Sequence, residues 1–231
     1  PPRITFQDQF NNDVIYNIQD SDIFFFEYDA NITNRAVQLN TIVGSRAVPE
    51  QVGKVMFASS GHLLCLRGTS FGRSTTAGQS ISSITRSGTT ATVTTGSGHG
   101  LSVYDWVQFD GQAPSAYQGE FQVLTVPSST TFTYTMPYDP GGSASPTGTY
   151  TKVVYSGTFD PLLIRWANVD ATTGPEPTEW KPELTNSAGF IRVKQGSQII
   201  TGFRTRQEVL IFTDIALSTL QFLGTEEVFA I

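Results

Sequence analysis

Apolar residues in this chain do not repeat at the sustained i, i+3, i+4, i+7 spacing that marks an amphipathic helix. They occur instead in short runs such as RITFQ, VIYNIQ and DIFFFEY, which turn-forming residues separate. The best candidate for a short helix is PEQVG, residues 49–53, and its signal is weak. Only 15% of the residues are charged and 12% are aromatic, a balance that favours strands. We therefore predict an all-β protein.

Two distant segments of the chain share one pattern. In KVMFASS followed by HLLCLRG, an apolar strand is joined to a second strand through Ser60 and Gly61, a predicted tight hairpin turn. In QEVLIFTD followed by ALSTLQFLG, about 155 residues later, the same order of strand, short turn, strand and glycine recurs. A two-stranded unit repeated around an insertion is typical of β-propeller blades. We therefore predict propeller-like antiparallel sheets, complete or partial.

The composition changes between Arg73 and about Gly157, where serine, threonine and glycine dominate. In TFTYTM, the residues Phe132, Tyr134 and Met136 alternate with threonines, which is the period of a half-buried strand. The segment is predicted to be a small β-sandwich or barrel that interrupts the propeller-like region. The expected domains are residues 1–73, the first propeller-like part; 74–157, the inserted β module; and 158–231, the second propeller-like part.

Residues 96–111, GSGHGLSVYDWVQFDG, combine glycines with a histidine, two aspartates and a tryptophan. A phosphate-binding loop needs its glycines between a strand and a helix, but strand-like residues follow Gly100. A catalytic His99 would need a nucleophile and an orienting carboxylate nearby, and the sequence holds no G-x-S-x-G motif. We interpret the stretch as a turn, in which bulky substitutions at Gly98 and Gly100 would damage folding.

Metal and cofactor sites are not predicted from the sequence. Cys65 is the only cysteine, so the chain forms no internal disulfide, and Cys65 is expected to be a small core residue. The only histidines, His62 and His99, are distant in sequence, which excludes the usual zinc ligand sets. No catalytic, cofactor-binding or metal-binding residue is therefore assigned, and the chain is predicted not to be an enzyme.

Two groups of side chains keep a sugar-related function open. Five acidic residues cluster near a proline-rich segment, where they could flank a glycosidic bond or simply keep a loop soluble: Asp160, Asp170, Glu176, Glu179 and Glu183. Four aromatic residues could stack on sugar rings or on a protein partner, or pack in the core: Trp106, Tyr117, Trp166 and Trp180. The alternatives are a carbohydrate-binding adhesin module and, below it, a glycosidase acting on host surface polysaccharide.

The charge pattern narrows the set of partners. The net charge is −6, and the sequence contains no stripe of basic residues. Both observations argue against high-affinity binding to nucleic acid. No window approaches the roughly eighteen apolar residues of a membrane helix, and no signal peptide is recognised, so no integral membrane segment is expected. The chain begins at Pro1 without a methionine, and a longer parent protein is therefore an open alternative.

Five motifs between residues 160 and 224 carry a resemblance to a known family. They occur in a fixed order: IRW at 164–166, WKP at 180–182, TNSAG at 185–189, GSQI at 196–199 and TRQE at 205–208. In this order they resemble the nozzle or tail-stabilisation proteins of short-tailed bacteriophages. In such proteins a strand pair runs almost directly into the segment that corresponds to DPLLIRW. Here LRGTSFG, residues 66–72, corresponds to the end of that strand pair. The serine- and threonine-rich segment separates it from DPLLIRW.

The inserted segment has a resemblance of its own. Its runs GHGLSVYDWVQFDG, SAYQGEFQV and VPSSTTFTYT are similar to β modules found in phage virion proteins. Those modules carry glycine at the position of Tyr104, so an aromatic residue replaces a turn residue here. We therefore expect Tyr104 to occupy a turn position at which the similar modules have glycine.

The resemblance implies a structural protein of the virion tail, made in the host cytoplasm, that works by assembly. It implies a propeller-like β domain and a homo-oligomeric ring below the portal and adaptor, through which DNA leaves the capsid as non-specific passing cargo. Neighbouring tail proteins such as the adaptor and the fibres would be its partners, and the inserted module would also meet the host envelope. An acidic channel fits this function, because it offers phosphates no ion pairs.

Overall fold

A computed structural model describes residues 4–10, 13–28, 33–145, 148–169, 177–224 and 227–231. Across these residues the regular structure comprises nineteen strands and two three-residue 3₁₀ helices, Leu39–Thr41 and Ser115–Tyr117, with no α-helix. The all-β prediction is therefore confirmed. The weak helix candidate at residues 49–53 does not form a helix, because Val52 and Gly53 begin a strand instead.

The strands are numbered along the chain. The first six are β1 (Thr5–Phe10), β2 (Asp13–Ile18), β3 (Ile23–Phe26), β4 (Val37–Gln38), β5 (Val52–Phe57) and β6 (Leu63–Thr69). The next seven are β7 (Arg73–Thr75), β8 (Gln79–Ser87), β9 (Thr90–Thr95), β10 (Trp106–Asp110), β11 (Gly119–Ser128), β12 (Thr131–Thr135) and β13 (Thr149–Tyr155). The last six are β14 (Phe159–Trp166), β15 (Gly189–Arg192), β16 (Ile199–Arg204), β17 (Glu208–Thr213), β18 (Leu217–Phe222) and β19 (Phe229–Ala230).

The chain folds into two compact units. One unit combines Pro1–Gly72 with Ser156–Ile231, and the other is Arg73–Tyr155. The first unit contains three four-stranded antiparallel sheets with the orders β1-β2-β3-β4, β15-β14-β6-β5 and β16-β17-β18-β19, which we call the first, second and third sheets. A four-stranded antiparallel sheet is the size of a propeller blade, so the predicted propeller-like class of sheet is present.

The two repeated hairpins found in the sequence lie in different sheets of the first unit. β5 pairs with β6 in the second sheet, and β17 pairs with β18 in the third. Between β5 and β6, Gly61 adopts a φ of +85° and its N–H donates a 3.0 Å hydrogen bond to Ala58 O. The predicted turn at Ser60 and Gly61 is therefore confirmed, and glycine supplies the left-handed conformation that it requires.

The core of the first unit lies mainly between the second and third sheets. Buried side chains of β5, β6 and β14, among them Leu66 and Ile164, pack in one cluster with Val209, Ile211 and Leu220 from the third sheet. In β6 the consecutive residues LLCL are all buried. A run of apolar residues without alternation is therefore explained, because both faces of this strand are covered.

The first sheet covers the edge of the second. In the second sheet β5 is an edge strand, whose outer backbone groups would otherwise lack partners. The Asn17 side chain on β2 donates 2.8 Å to Val52 O and accepts 3.0 Å from the Val55 N–H. Asp8 on β1 accepts a 2.9 Å hydrogen bond from the Phe57 N–H. Two polar side chains thus pair the edge that backbone hydrogen bonds leave open.

The second unit is a closed barrel. Its strands follow the order β10-β11-β12-β9-β8-β13, and β13 pairs back onto β10. On the other edge of β13, β8 pairs with one end and β7 with the other. The predicted sandwich or barrel is therefore a six-stranded barrel. The three alternating residues Phe132, Tyr134 and Met136 are all buried in its core, as the period of two predicts. Thr133 between them is buried as well, and its hydroxyl lies 2.7 Å from that of Thr125.

The glycine-rich stretch before β10 is a turn held by its histidine. His99 accepts a 2.9 Å hydrogen bond from the Leu101 N–H at Nδ1 and donates one of 3.0 Å to Ser128 O from Nε2. The prediction of a turn histidine is therefore confirmed, and this turn is tied to the β11–β12 hairpin. Gly100 has a φ of +62°, which explains its glycine.

The expected sensitivity of Gly98 is not supported by the structure. A Cβ on Gly98 would lie 3.8 Å from Ser129 O, an ordinary contact, and its backbone is not left-handed. Tyr104, further along the stretch, does carry a left-handed backbone, with a φ of +73°. This is the position at which the similar phage modules have glycine, so the aromatic side chain there occupies a conformation that favours glycine.

Candidate functional site

The buried guanidinium of Arg165 joins three separate segments of the first unit. Arg165 lies on β14 and is 2% exposed. It donates hydrogen bonds to the backbone oxygens of Thr69 (3.1 Å), Ala47 (2.8 Å) and Trp180 (2.9 Å). Burial lowers the pKa of Arg165 to about 10, so the side chain stays charged at neutral pH. A single cation therefore fixes three carbonyl groups that lie far apart in the sequence.

Three of the four aromatic residues proposed for stacking are core residues. Trp166 and Trp180 are buried, and their indole N–H groups donate to Ser187 O (2.7 Å) and Pro177 O (2.9 Å). Tyr117 is buried in the barrel, where its hydroxyl donates 2.7 Å to Gly142 O. The core interpretation of these three rings is therefore correct, and none of them offers a face to a sugar.

Two of the clustered acids converge on Arg46. Glu179 Oε2 lies 2.8 Å from Arg46 Nε, and Glu183 Oε1 lies 3.2 Å from the Arg46 guanidinium and 2.8 Å from Lys181 Nζ. Burial raises the pKa of Glu179, although Arg46 opposes it. Burial acts in the same direction on Glu183, but Lys181 and Arg46 outweigh it and hold its pKa below the usual range. The two acids and two bases form a neutral network.

Among the remaining acids of this cluster, Asp160 is the one that the structure describes. Asp160 forms a 2.8 Å ion pair with Arg192 and accepts a 2.9 Å hydrogen bond from the Leu162 N–H. Asp170 and Glu176 lie outside the described residues. The three described acids of the cluster therefore each hold a cation, as expected for cross-linked loops.

His62 is at the centre of a hydrogen-bond chain that the sequence did not reveal. Its Nδ1 lies 2.9 Å from Ser60 Oγ and its Nε2 lies 3.2 Å from Ser187 Oγ. The Ser187 hydroxyl donates its own proton to Asn168 Oδ1, 2.9 Å away, so His62 must donate through Nε2. The nitrogen that accepts is therefore Nδ1, which lies against the Ser60 hydroxyl. The chain Ser60, His62, Ser187 and Asn168 links the β5–β6 turn to the segments that follow β14 and precede β15.

A groove of about 1050 Å³ opens beside this hydrogen-bond chain. Trp166, Asn168 and Ser187 contribute to its lining, and Leu184 and Phe190 present exposed apolar side chains at the same groove. Sequence reasoning missed it, because its lining combines β14, β15 and the loop between them with the distant Val228, and no local motif marks where they meet.

On the barrel, Trp106 lies beside a buried carboxylate. Its ring contacts the edge of Tyr155, with 6.4 Å between ring centroids. The Tyr155 hydroxyl donates 2.8 Å to Glu120 Oε2, and Arg73 Nε donates 2.7 Å to Glu120 Oε1. The bond to Glu120 raises the pKa of Arg73. Glu120 on β11 thus joins β7, the first strand of the unit, to β13, the last, and Trp106 remains half-exposed next to them.

Metal ligation and thiol chemistry find no support among the described residues. No group of three or more His, Cys, Asp or Glu side chains lies close enough there to hold a metal ion. Cys65 is buried as predicted, and burial raises the pKa of its thiol to about 12, which suppresses the reactive thiolate. In the same part of the chain, no helix has the length and apolar character needed to cross a membrane.

The fold and these sites define an all-β protein built from four-stranded antiparallel sheets and a six-stranded barrel. No protein-family model matches the sequence, and no curated protein matches it. Among solved structures, it is similar to a phage phi92 endosialidase, with a TM-score of 0.27 and 14% identity over 97% of this chain. The match covers 38% of that protein's length, and a similarity this low establishes neither a family nor an activity.

The Arg165 contacts predict a large loss of stability when its guanidinium is removed. In Arg165→Met, three buried carbonyl groups lose their donor, which we expect to cost about 3 kcal/mol of unfolding free energy or more. The matched control is Arg192→Met, which removes an arginine that is 57% exposed and should cost less than about 1 kcal/mol. Urea unfolding followed by tryptophan fluorescence measures both. Equal losses in the two variants would contradict the proposed function of Arg165.

The burial of His62 predicts a dependence of stability on pH. Burial lowers its pKa from 6.5 to about 4 in the folded protein, so the unfolded chain takes up the proton first as the pH falls. The stability contribution is constant above about pH 6.5, falls by about 2 kcal/mol between pH 6.5 and 4, and then levels off.

His62→Gln should remove this component and leave the titration of the carboxylates. Unfolding free energies of the native chain and the variant, measured by urea titration at pH 7, 6, 5 and 4, give the difference. We expect that difference to shrink as the pH falls towards 4. A difference that stays constant over this range would exclude His62 as its source.

Proposed function

We propose that this chain is a structural component of a phage tail, a nozzle or part of one, that forms the DNA exit channel by assembling into a homo-oligomeric ring. The observation that carries the proposal is the way in which the resembling motifs contact one another. Arg165 of IRW bonds to Trp180 O of WKP, and Trp166 of IRW bonds to Ser187 O of TNSAG. Motifs that form hydrogen bonds with each other inside a core determine how the chain folds. A structural tail component acts through its folded shape and its assembly, so these contacts support that function.

The polar residues of the described chain support a function without catalysis. His99 is held by hydrogen bonds to the backbone, His62 is held by hydrogen bonds to Ser60 and Ser187, and the described acids of the 160–183 cluster are held by cations. The net charge of −6 suits a channel in which DNA is passing cargo, because like charges offer phosphates no ion pairs. In this proposal the partners are other copies of the chain, the adaptor and the fibres, and the barrel module contacts fibres or the host envelope.

Immunogold labelling of intact virions tests the location. Antibody raised against this chain should label the tail of the phage that encodes it, and negative-stain images of the purified protein should show closed rings. The control is a pre-adsorbed antibody, which should leave the tail unlabelled. Label confined to the capsid shell would contradict the proposal.

A second candidate is a carbohydrate-binding module, and the position of Trp106 favours it. Trp106 is half-exposed on the barrel, next to Tyr155 and to the side chains of Arg73 and Glu120. An aromatic ring flanked by hydrogen-bonding groups is suited to the apolar face and hydroxyl groups of a sugar. Trp106 is the one residue of the four proposed for stacking that keeps this option.

Glycan-array binding separates this candidate from a purely structural barrel. If the barrel binds sugars, the native chain should bind a defined set of bacterial surface glycans, and Trp106→Ala should lose that binding while its circular dichroism stays unchanged. Tyr138→Ala is the matched control, because Tyr138 is an exposed aromatic residue of the same unit that lies outside the Trp106 cluster. If the native chain binds no glycan on the array, the result would count against sugar binding.

A further inference from the structure

The third sheet has apolar residues on both faces but buries only one. In β17 the sequence VLIF lacks the alternation of a strand that has one face in water. Val209 and Ile211 are buried in the core, whereas Leu210 and Phe212, which point the opposite way, are only half-buried. In the second sheet, similar apolar runs are buried throughout. The sequence of β17 therefore suits a strand that is covered on both sides.

The outer side of the third sheet is mainly apolar across two rows and carries no carboxylate there. One cation reaches its edge: Lys54 Nζ lies 3.2 Å from Thr201 Oγ1 and 5.0 Å from the centroid of the Phe203 ring. The register places Phe203 opposite Leu210, and Leu210 opposite Thr219; the next row contains Thr201, Phe212 and Leu217. Phe203 and Leu217 are 54% and 56% exposed, and the Phe203 and Phe212 rings meet edge to face at 5.8 Å. We call Thr201, Phe203, Leu210, Phe212, Leu217 and Thr219 the third-sheet face.

The first sheet presents a second face whose residues include no carboxylate. Tyr16 and Phe24 stack at 5.2 Å, and Val14 pairs with Phe26 beside them. Their neighbours on β1 in the same register are Gln7 and Gln9. The alternate residues of β2 and β3, such as Ile15 and Phe25, are buried. We call Gln7, Gln9, Val14, Tyr16, Phe24 and Phe26 the first-sheet face.

We propose that copies of this chain associate head to tail, the third-sheet face of one copy packing on the first-sheet face of the next. Each copy presents both surfaces, so a single kind of contact covers both. In a chain of net charge −6, two surfaces whose residues include no carboxylate are where copies can meet without repulsion between negative charges. Sheet-on-sheet packing is already the arrangement of the core between the second and third sheets.

This interface rests on the proposed function, because it is the contact between neighbouring copies in the proposed ring. A head-to-tail interface joins two different surfaces, so it closes into a ring when the rotation between neighbours permits. A two-fold dimer would instead pair one surface with itself and would leave the other surface open. The two surfaces on one chain therefore favour the ring over the two-fold dimer.

Mixed disulfide cross-linking tests which surfaces meet. Thr201→Cys and Thr219→Cys each place a thiol on the third-sheet face, and Gln7→Cys and Gln9→Cys each place one on the first-sheet face. The native Cys65 is buried and does not compete. When differently tagged copies are mixed and oxidised, third-sheet and first-sheet variants should form mixed dimers. Ser97→Cys, on an exposed turn of the barrel, replaces either partner as the control and should not cross-link.

Sedimentation analysis provides the independent measurement. The native chain should sediment as an oligomer, and Phe203→Asp or Leu217→Asp should lose it, because a carboxylate would have to be buried in an apolar contact. Ile215→Asp is the matched control: Ile215 is 77% exposed in the turn between β17 and β18, outside the face, and its variant should stay oligomeric. Circular dichroism confirms that each variant is folded.

The outcomes separate this interface from the proposed function. A native chain that is monomeric and gives no mixed cross-link overturns the interface. An oligomer that survives Phe203→Asp and gives no mixed cross-link also overturns it, but leaves the ring proposal standing if the antibody labels the tail. If mixed cross-links form but the antibody labels only the capsid, the interface is supported and the nozzle assignment is contradicted.

Discussion

The first unit depends on a buried cation that carbonyl oxygens hold. Arg165 bonds to the backbone of Ala47, Thr69 and Trp180, and its planar group also lies near the rings of Phe71 and Trp180. A buried charge is costly unless hydrogen bonds satisfy it, and carbonyl groups in loops are costly when they lack donors. The three carbonyl groups and the two terminal nitrogens of the guanidinium satisfy each other here, although Arg165 Nε has no hydrogen-bond partner among the described residues. The loops around residues 47 and 180 are therefore fixed to the second sheet.

A second set of contacts reinforces the same junction from the surface. Arg46 forms a parallel backbone bridge with Glu179, and its side chain pairs with the carboxylates of Glu179 and Glu183. The 177–188 loop is therefore held by Arg165 from inside and by Arg46 from outside. Side chains that could suggest catalysis when read along the sequence are occupied in holding this loop.

The sequence predicted local features well, because their signals are local. The hairpin at Gly61 follows from a glycine between two apolar strands, and the burial of Tyr134 follows from a period of two. The weak helix candidate at residues 49–53 failed because Val52 pairs with Gly68 of β6 and also bridges to Ser21. Tertiary pairing overrode a weak local preference. The chain from His62 to Ser187 was missed, because 125 residues separate the two side chains.

By itself, the sequence determined that the protein is all-β, where most of its strands and turns lie, and that its middle segment has a different composition. These properties depend on neighbouring residues and on backbone preferences, which act over a few positions. Only the tertiary structure decided that β13 closes the barrel onto β10, that Arg165 holds three distant carbonyl groups, and that β17 keeps one apolar face uncovered. The physical reason is that strand partners and covered faces are selected by packing between segments far apart in the chain, which no local pattern encodes.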